Sequence, residues 1–139
     1  MLLPKKVKYR KWHVMRKNPK KMNFDSRGTS LAFGSFGIKA MKYGRVTSNQ
    51  IEAARKAIMH HAGRTGKVWI RIFPDHPFTV KPAEVKMGKG KGDPQGFVAE
   101  VKPGRIMFEI DGVEAKIAAE ALRKAGTKLP MTTKIISRA

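Results

Sequence analysis

Apolar residues recur along this chain with two different periods, and the places where the period changes predict its elements. Val68, Ile70 and Ile72 alternate with Trp69, Arg71 and Phe73, which predicts a strand with two partly covered faces. Phe97, Ala99 and Val101 alternate with Val98, Glu100 and Lys102, and Ile106, Phe108 and Ile110 alternate with Met107 and Glu109. Pro103-Gly104 stands between these runs, with glycine where a tight turn needs positive φ, and predicts that they form a hairpin. Ser30 to Met41 is apolar with Gly34 and Gly37 inside it, the pattern of a strand carrying a bulge or a close backbone approach; Phe33 and Phe36 are assigned to the core. Met131 to Ser137 reads as a closing strand.

Helical spacing appears twice. Ile51, Ala54, Ile58 and Ala62 form one stripe, with Glu52, Lys56 and His60 turned away from it. Thr47-Ser-Asn-Gln50 before the stripe fits a capping box, in which hydroxyl and amide side chains satisfy orphan backbone donors, and Gly63 or Gly66 stops the helix. A second helix follows Gly112, with Ile117, Ala118, Ala121, Leu122 and Ala125 on one face and Gly126 as its cap. The expected fold class is α+β: a mostly antiparallel sheet with two amphipathic helices packed on it, a basic N-terminal tail and a long Gly/Lys loop.

Two segments escape both periods. Residues 1–29 carry basic clusters, among them Lys5, Lys6, Lys8, Arg10 and Lys11 and then Arg16, Lys17, Lys20 and Lys21, with Tyr9, Trp12 and His13 interspersed. They read as an extension ordered by an RNA partner, disordered without it, whose Trp12 either stacks on bases or folds back as a core anchor. Residues 30–139 form the domain proper, with a protruding loop at 84–96. Within that loop Lys86, Lys89 and Lys91 alternate with Gly88, Gly90 and Gly92, and no acid intervenes before Asp93. Pro74, Pro77 and Pro82 aim it. Glycine lets a backbone approach a partner closely, and unpaired lysines suit phosphate. A solvated linker has the same composition.

Charge decides what such a loop faces. The 139 residues carry 30 Lys and Arg against 10 Asp and Glu, a formal net charge of +20. Self-repulsion of that size opposes compaction unless a polyanion accompanies the chain, and nucleic acid is the natural one. The excess is uneven: residues 1–51 hold 13 of the 30 cations and one acid, Asp25. Cysteine is absent, which excludes disulfides and thiolate metal sites. Gly28 to Ile38, the longest uncharged run, is too short to span a bilayer, and the first residues lack the apolar segment of a signal peptide.

Enzyme chemistry finds no constellation. The acids are scattered, and Asp75 in Phe-Pro-Asp-His-Pro suits a turn acceptor better than a general acid. Serines lack a nucleophile elbow. Adjacent His60 and His61 face different directions, with no third ligand placed to join them. Neither glycine-rich segment has the lysine followed by a hydroxyl residue that a nucleotide-binding loop needs. The expectation is a non-enzymatic protein with no cofactor, no metal, no membrane partner and no small-molecule substrate.

Longer motifs carry a resemblance. Leu3-Pro-Lys-Lys with Tyr9-Arg-Lys, Phe33-Gly-Ser-Phe-Gly37, Gln50-Ile-Glu-Ala-Ala-Arg55, Gly66-Lys-Val-Trp-Ile-Arg-Ile-Phe-Pro-Asp75, Lys81-Pro-Ala-Glu84, Met87-Gly-Lys-Gly-Lys-Gly92, Pro103-Gly104 and Lys128-Leu-Pro130 together resemble bacterial large-subunit ribosomal protein sixteen across nearly the whole chain. The resemblance implies a structural constituent of the large ribosomal subunit that supports translation. It implies binding to 23S-type large-subunit rRNA near the base of the central protuberance, and contact with neighbouring ribosomal proteins. A-site tRNA is implied near the peptidyl transferase centre, with P-site tRNA as a second candidate. By position, Lys5, Lys6, Lys8, Arg10, Lys11, Arg16, Arg45, Arg55, Arg71 and Lys81 are the implied rRNA contacts; Lys86, Met87, Gly88, Lys89, Gly90, Lys91 and Gly92 form the implied tRNA-facing loop. Lys86 stands where the family commonly has arginine, keeping the charge without the planar fork. Residues 12–26 depart from the usual glycine-containing pattern, and Asp93-Pro-Gln-Gly96 lacks an aromatic often found there. The implied location is the cytoplasmic ribosome, with an organelle-encoded ribosome left open; a match that starts at Met1 leaves no room for a transit peptide. The alternative from the residues alone is a free RNA-binding module, an RNA chaperone or translation factor, that exchanges between RNAs.

Overall fold

The computed structural model describes residues 1–14, 18–21, 23–85, 88 and 90–138. Among them, strands β1 (Phe36–Ala40), β2 (Gly44–Thr47), β3 (Lys67–Ile70), β4 (His76–Val80), β5 (Asp93–Val101), β6 (Ile106–Asp111) and β7 (Thr133–Ser137) form two sheets. One has the order β3-β6-β1-β7 and the other β2-β5-β4, with every pairing antiparallel. Helices α1 (Ser48–Ala62) and α2 (Ala115–Gly126) pack on each other; α1 reaches β2 and β3, and α2 reaches β1 and β7. The α+β architecture is therefore the one the periodicities predict.

Local chemistry explains the element ends. The Thr47 hydroxyl accepts from the Gln50 amide at 3.2 Å, and the Gln50 side chain accepts from the Thr47 amide at 2.9 Å. That closed capping box contributes about 1 kcal/mol. At the other end Gly63 takes φ 70°, and its N–H donates to the Met59 carbonyl. Ile51, Ala54, Ile58 and Ala62 are all buried, as their spacing requires, beside Ile38, Val46, Val101, Phe108, Ile110 and Leu122. Removing each large side chain of this set from water stabilises the fold by roughly 1.5–3 kcal/mol.

Several expectations are corrected. The turn at Pro103-Gly104 exists, with Gly104 at φ 97°, but β5 and β6 do not form a hairpin. The Gly104 N–H donates to the Ala40 carbonyl at 2.7 Å, and the Ala40 N–H donates to Arg105 at 2.9 Å, so the turn hooks onto the end of β1. From there β6 enters one sheet between β1 and β3, while β5 lies in the other between β2 and β4. Alternation identifies a strand; it does not say which neighbour occupies each edge. The apolar run from Ser30 is a strand only from Phe36, and Phe33 is exposed. The run from Val68 leaves strand geometry after Ile70.

Ile117 is 41% exposed, outside the buried stripe of α2. Gly126 is the last helical residue, without the positive φ of a cap; a Cβ there would lie 2.7 Å from the Thr133 hydroxyl, so glycine permits close approach to β7. Two strands have no clean alternation, β2 and β4. Pro77 is tolerated in β4 because β4 is an edge strand. Asp93 to Gly96, assigned to the loop, belong to β5, so the connection between β4 and β5 spans 81–92.

Candidate nucleic-acid interface

β4 and β5 run antiparallel with Val80 opposite Asp93, which delivers the glycine-lysine segment as the tip of a hairpin. Gly88 and Gly90 take φ 98° and 109°, where other residues are strained, and Gly92 passes so close to β4 that a Cβ would sit 2.8 Å from the Val80 carbonyl. Lys81 donates to the Gly88 carbonyl and ties one arm of the loop to the other. Lys86, Met87, Lys89 and Arg16 lie outside the described residues.

The tail is fastened to the base of this loop. Lys91 donates its ammonium to the Trp12 carbonyl, and Lys11 returns a bond to the Lys91 carbonyl at 3.3 Å. The Trp12 ring stands edge-on to His76 with centroids 5.0 Å apart. Further along, the Ser48 hydroxyl donates to the Leu2 carbonyl at 2.8 Å; the Asp25 and Ile106 amides bond to the carbonyls of Pro103 and Gly28. Lys5, Lys6, Lys8, Arg10 and Lys11 remain exposed along the extension. Lys8 lies over the Tyr9 ring at 5.6 Å.

Three of the arginines named from position are paired with acids. Arg45, on β2, meets Glu100 at 3.1 Å, and His76 Nε2 lies 3.7 Å from the same carboxylate. Burial holds the His76 imidazole below its ordinary pKa, against the pull of Glu100, and its Nε2 makes no hydrogen bond among the described residues. Arg55 grips Glu52 with two bonds, 3.1 and 2.5 Å, on the surface of α1; that bond lowers the carboxyl of Glu52 and raises Arg55. Arg71 is bonded to Glu109.

Glu109 is the residue that sequence reasoning missed. It is fully buried in β6, yet its Oε1 accepts three backbone N–H bonds, from Ala32, Phe33 and Gly34, at 2.9 to 3.0 Å, while Oε2 takes Arg71. Burial pushes its carboxyl up; the Gly34 amide, Arg71 and the other two amides outweigh burial and hold the group below the usual carboxylate range. Gly34 is required at this point, because a Cβ would lie 2.7 Å from the Ile110 carbonyl. The loop 31–35 is thereby fixed with Phe33 outward. A signal was present in the sequence: a lone acid in Ile106-Met-Phe-Glu-Ile110 and a lone base in Trp69-Ile-Arg-Ile72 are complementary defects in apolar runs.

Among the described residues no group of three or more His, Asp or Glu is placed to hold a metal ion, and no helix is long and apolar enough to cross a membrane. The arrangement can therefore offer a backbone-rich loop, free ammonium groups and aromatic faces. The model of the family described as Ribosomal protein L16p/L10e matches residues 4–136. The chain belongs to that family. Similar members of the L16p/L10e family include three proteins named large ribosomal subunit protein uL16 from Rhodopseudomonas palustris. That of strain BisB5 is 56% identical over 138 residues, covering 99% of this chain and 98% of the relative. Those of strains ATCC BAA-98 / CGA009 and HaA2 are 54% and 56% identical over the same shares. Family membership spans both the extension and the glycine-lysine loop, so neither is an appendage foreign to the L16p/L10e chain.

Proposed function

We propose that this chain is a structural constituent of the large ribosomal subunit, associated with its rRNA and proteins and acting in translation without catalysing a reaction. The observation that carries this reading is the L16p/L10e match over residues 4–136, in a chain whose +20 charge calls for a polyanion. Residues 1–29 act as an extension ordered by rRNA, and residues 30–139 as the domain that carries the loop. Lys5, Lys6, Lys8, Arg10, Lys11 and Arg16 supply phosphate contacts, joined by Lys81 and by the donors of Arg45, Arg55 and Arg71 that their acids leave unused. The segment from Lys86 to Gly92 faces A-site tRNA, with P-site tRNA as the second candidate.

Sedimentation of a lysate through a sucrose gradient, before and after a high-salt wash, tests the role. One copy of the chain per large subunit, retained after the wash, is expected, because many simultaneous phosphate contacts survive screening that removes weak ones. Release to the top of the gradient, or spread across RNAs of many sizes, would identify a free RNA-binding module instead. For the loop, Lys89→Ala with Lys91→Ala should weaken A-site tRNA binding to purified ribosomes while leaving incorporation into the subunit intact; unchanged tRNA affinity refutes the tRNA assignment.

A further inference from the structure

The outer face of the four-stranded sheet carries a feature that the fold itself does not need. Phe33 stacks on Trp69 with ring centroids 6.0 Å apart and planes 17° from parallel, yet Phe33 keeps 56% of its surface in solvent. The Arg71 guanidinium lies 5.2 Å from the Phe33 centroid, and the Lys67 ammonium lies 5.7 Å from that of Trp69. Val68 and Ile70 pack against the core, which puts Trp69 on the opposite side of β3. The cross-strand register sets Trp69 opposite Glu109, the carboxylate that fixes the Phe33 backbone.

A tethered, half-exposed aromatic pair flanked by two cations is built for a flat, electron-rich partner with a negative backbone. We propose that Phe33 and Trp69 form a stacking platform for an unpaired RNA base, which takes the Trp69 face now under the Lys67 ammonium, so that Lys67 moves to the adjoining phosphate while Arg71 stays over Phe33. Every base has a π-face, so such a platform accepts any sequence, and the cations match the charge that accompanies the base. Trp69 and Arg71 also line an adjacent groove of about 670 Å3 that reaches Phe73 and Arg105. Asp75 and Glu100 also line that groove, so it suits the sugar beside the rings, and the phosphates are left to the cations on the outer face. The inference rests on the RNA-binding reading above and adds the site and the chemical group bound.

The test uses the full chain carrying Trp12→Phe, which leaves Trp69 as the sole tryptophan and keeps a ring beside His76. A short fluorescein-labelled oligouridylate reports binding by anisotropy, and unlabelled oligouridylate is titrated against Trp69 emission. The RNA should quench Trp69, whereas inorganic polyphosphate of equal charge should not. Phe33→Ala and Phe33→Leu should each weaken binding about tenfold, as expected for the loss of one stacked base, with an unchanged far-UV spectrum. Binding without a change in Trp69 emission, equal quenching by polyphosphate, or undiminished affinity in Phe33→Ala would overturn the platform and leave this face to a protein neighbour. Absence of any RNA binding by the parent chain would overturn the RNA-binding reading and the platform with it.

Discussion

The molecule contains the same ion pair in two settings, and the settings give it opposite meanings. On the helix surfaces Arg55 grips Glu52 and Arg123 grips Glu120, each with two bonds across one helical turn. On the outer side of the four-stranded sheet Arg71 meets Glu109, whose side chain is wholly removed from water. The surface pairs sit in a high dielectric and are screened by salt, so they add little to stability. The buried carboxylate would be costly alone; it is tolerated because four donors converge on it. What the burial achieves is positional. It fixes the backbone of residues 32–34 and so presents Phe33 to the outside. A charge pair identifies nothing by itself; the number of backbone donors gathered around it separates an organising contact from an incidental one.

The strongest way to break this comparison is to remove the buried acid. Glu109→Ala leaves Arg71 and three amides without their acceptor and should lower unfolding free energy by about 3–5 kcal/mol in urea titrations. A loss under about 1 kcal/mol, the size typical of exposed pairs, would erase the distinction between the two settings. pH offers the same test without a cavity. The Glu109 carboxyl is lower in the fold than its ordinary 4.5, so the folded state favours the charged form. Its contribution is present above that value and is lost as pH falls below it. His76 is likewise depressed, from 6.5, so stability also declines as pH falls from 6.5 and the unfolded chain takes up the proton first. Two separate declines are expected in an acid titration of the denaturation midpoint. Glu109→Gln should remove most of the lower one, leaving the small share of the exposed Glu52 and Glu120 carboxyls, which are also held low, and His76→Phe should remove the upper one.

A smaller effect is expected from Gly34→Ala. Its Cβ would press on the Ile110 carbonyl, which cannot rotate away, and the cost should be about 1–3 kcal/mol. Hydrogen exchange should show faster exchange of the Ala32, Phe33 and Gly34 amides in this variant, since the loop has to lift from β6 to make room. Unchanged protection would mean that the loop is held by something other than the carboxylate.

The parts of this arrangement that a sequence can carry are the local ones. Thr47 to Gln50 announces a helix start because both partners of the capping box lie within four residues, and the stripe from Ile51 to Ala62 announces the buried face because a helix has one period. β5 and β6 are legible as strands for the same reason, yet their partners are not. Which edge a strand offers to which neighbour is settled by residues distant in sequence, such as Ala40 bonding to Gly104 and Arg105. Phe33 misleads for a related reason: its exposure depends on Glu109, 76 positions away. The basic clusters are legible as charge. Whether an individual arginine is engaged by an acid, as Arg45 is by Glu100 and Arg55 by Glu52, is a tertiary fact.

The helix-surface pair gives the smallest expected change in stability and the sharpest reading of the interface. Arg55→Ala should leave the urea midpoint unmoved, because a solvated pair across one turn contributes almost nothing to folding. If Arg55 contacts rRNA phosphate, the same substitution lowers RNA affinity evenly across sequences and reduces the salt slope of binding by about 1. Glu52→Gln moves the other way: the guanidinium keeps its place on α1 but loses its carboxylate, so its full charge becomes available to phosphate, and both affinity and salt slope should rise. Arg123→Ala, in the equivalent pair on α2, is the control that should change neither quantity. If Arg55→Ala and Glu52→Gln shift RNA affinity in opposite directions, the surface pair serves to hold a cation in reserve for RNA. If neither shifts it, Arg55 is a solvated helix charge like Arg123, and the proposed rRNA contacts fall to the extension and to Arg45, Arg71 and Lys81.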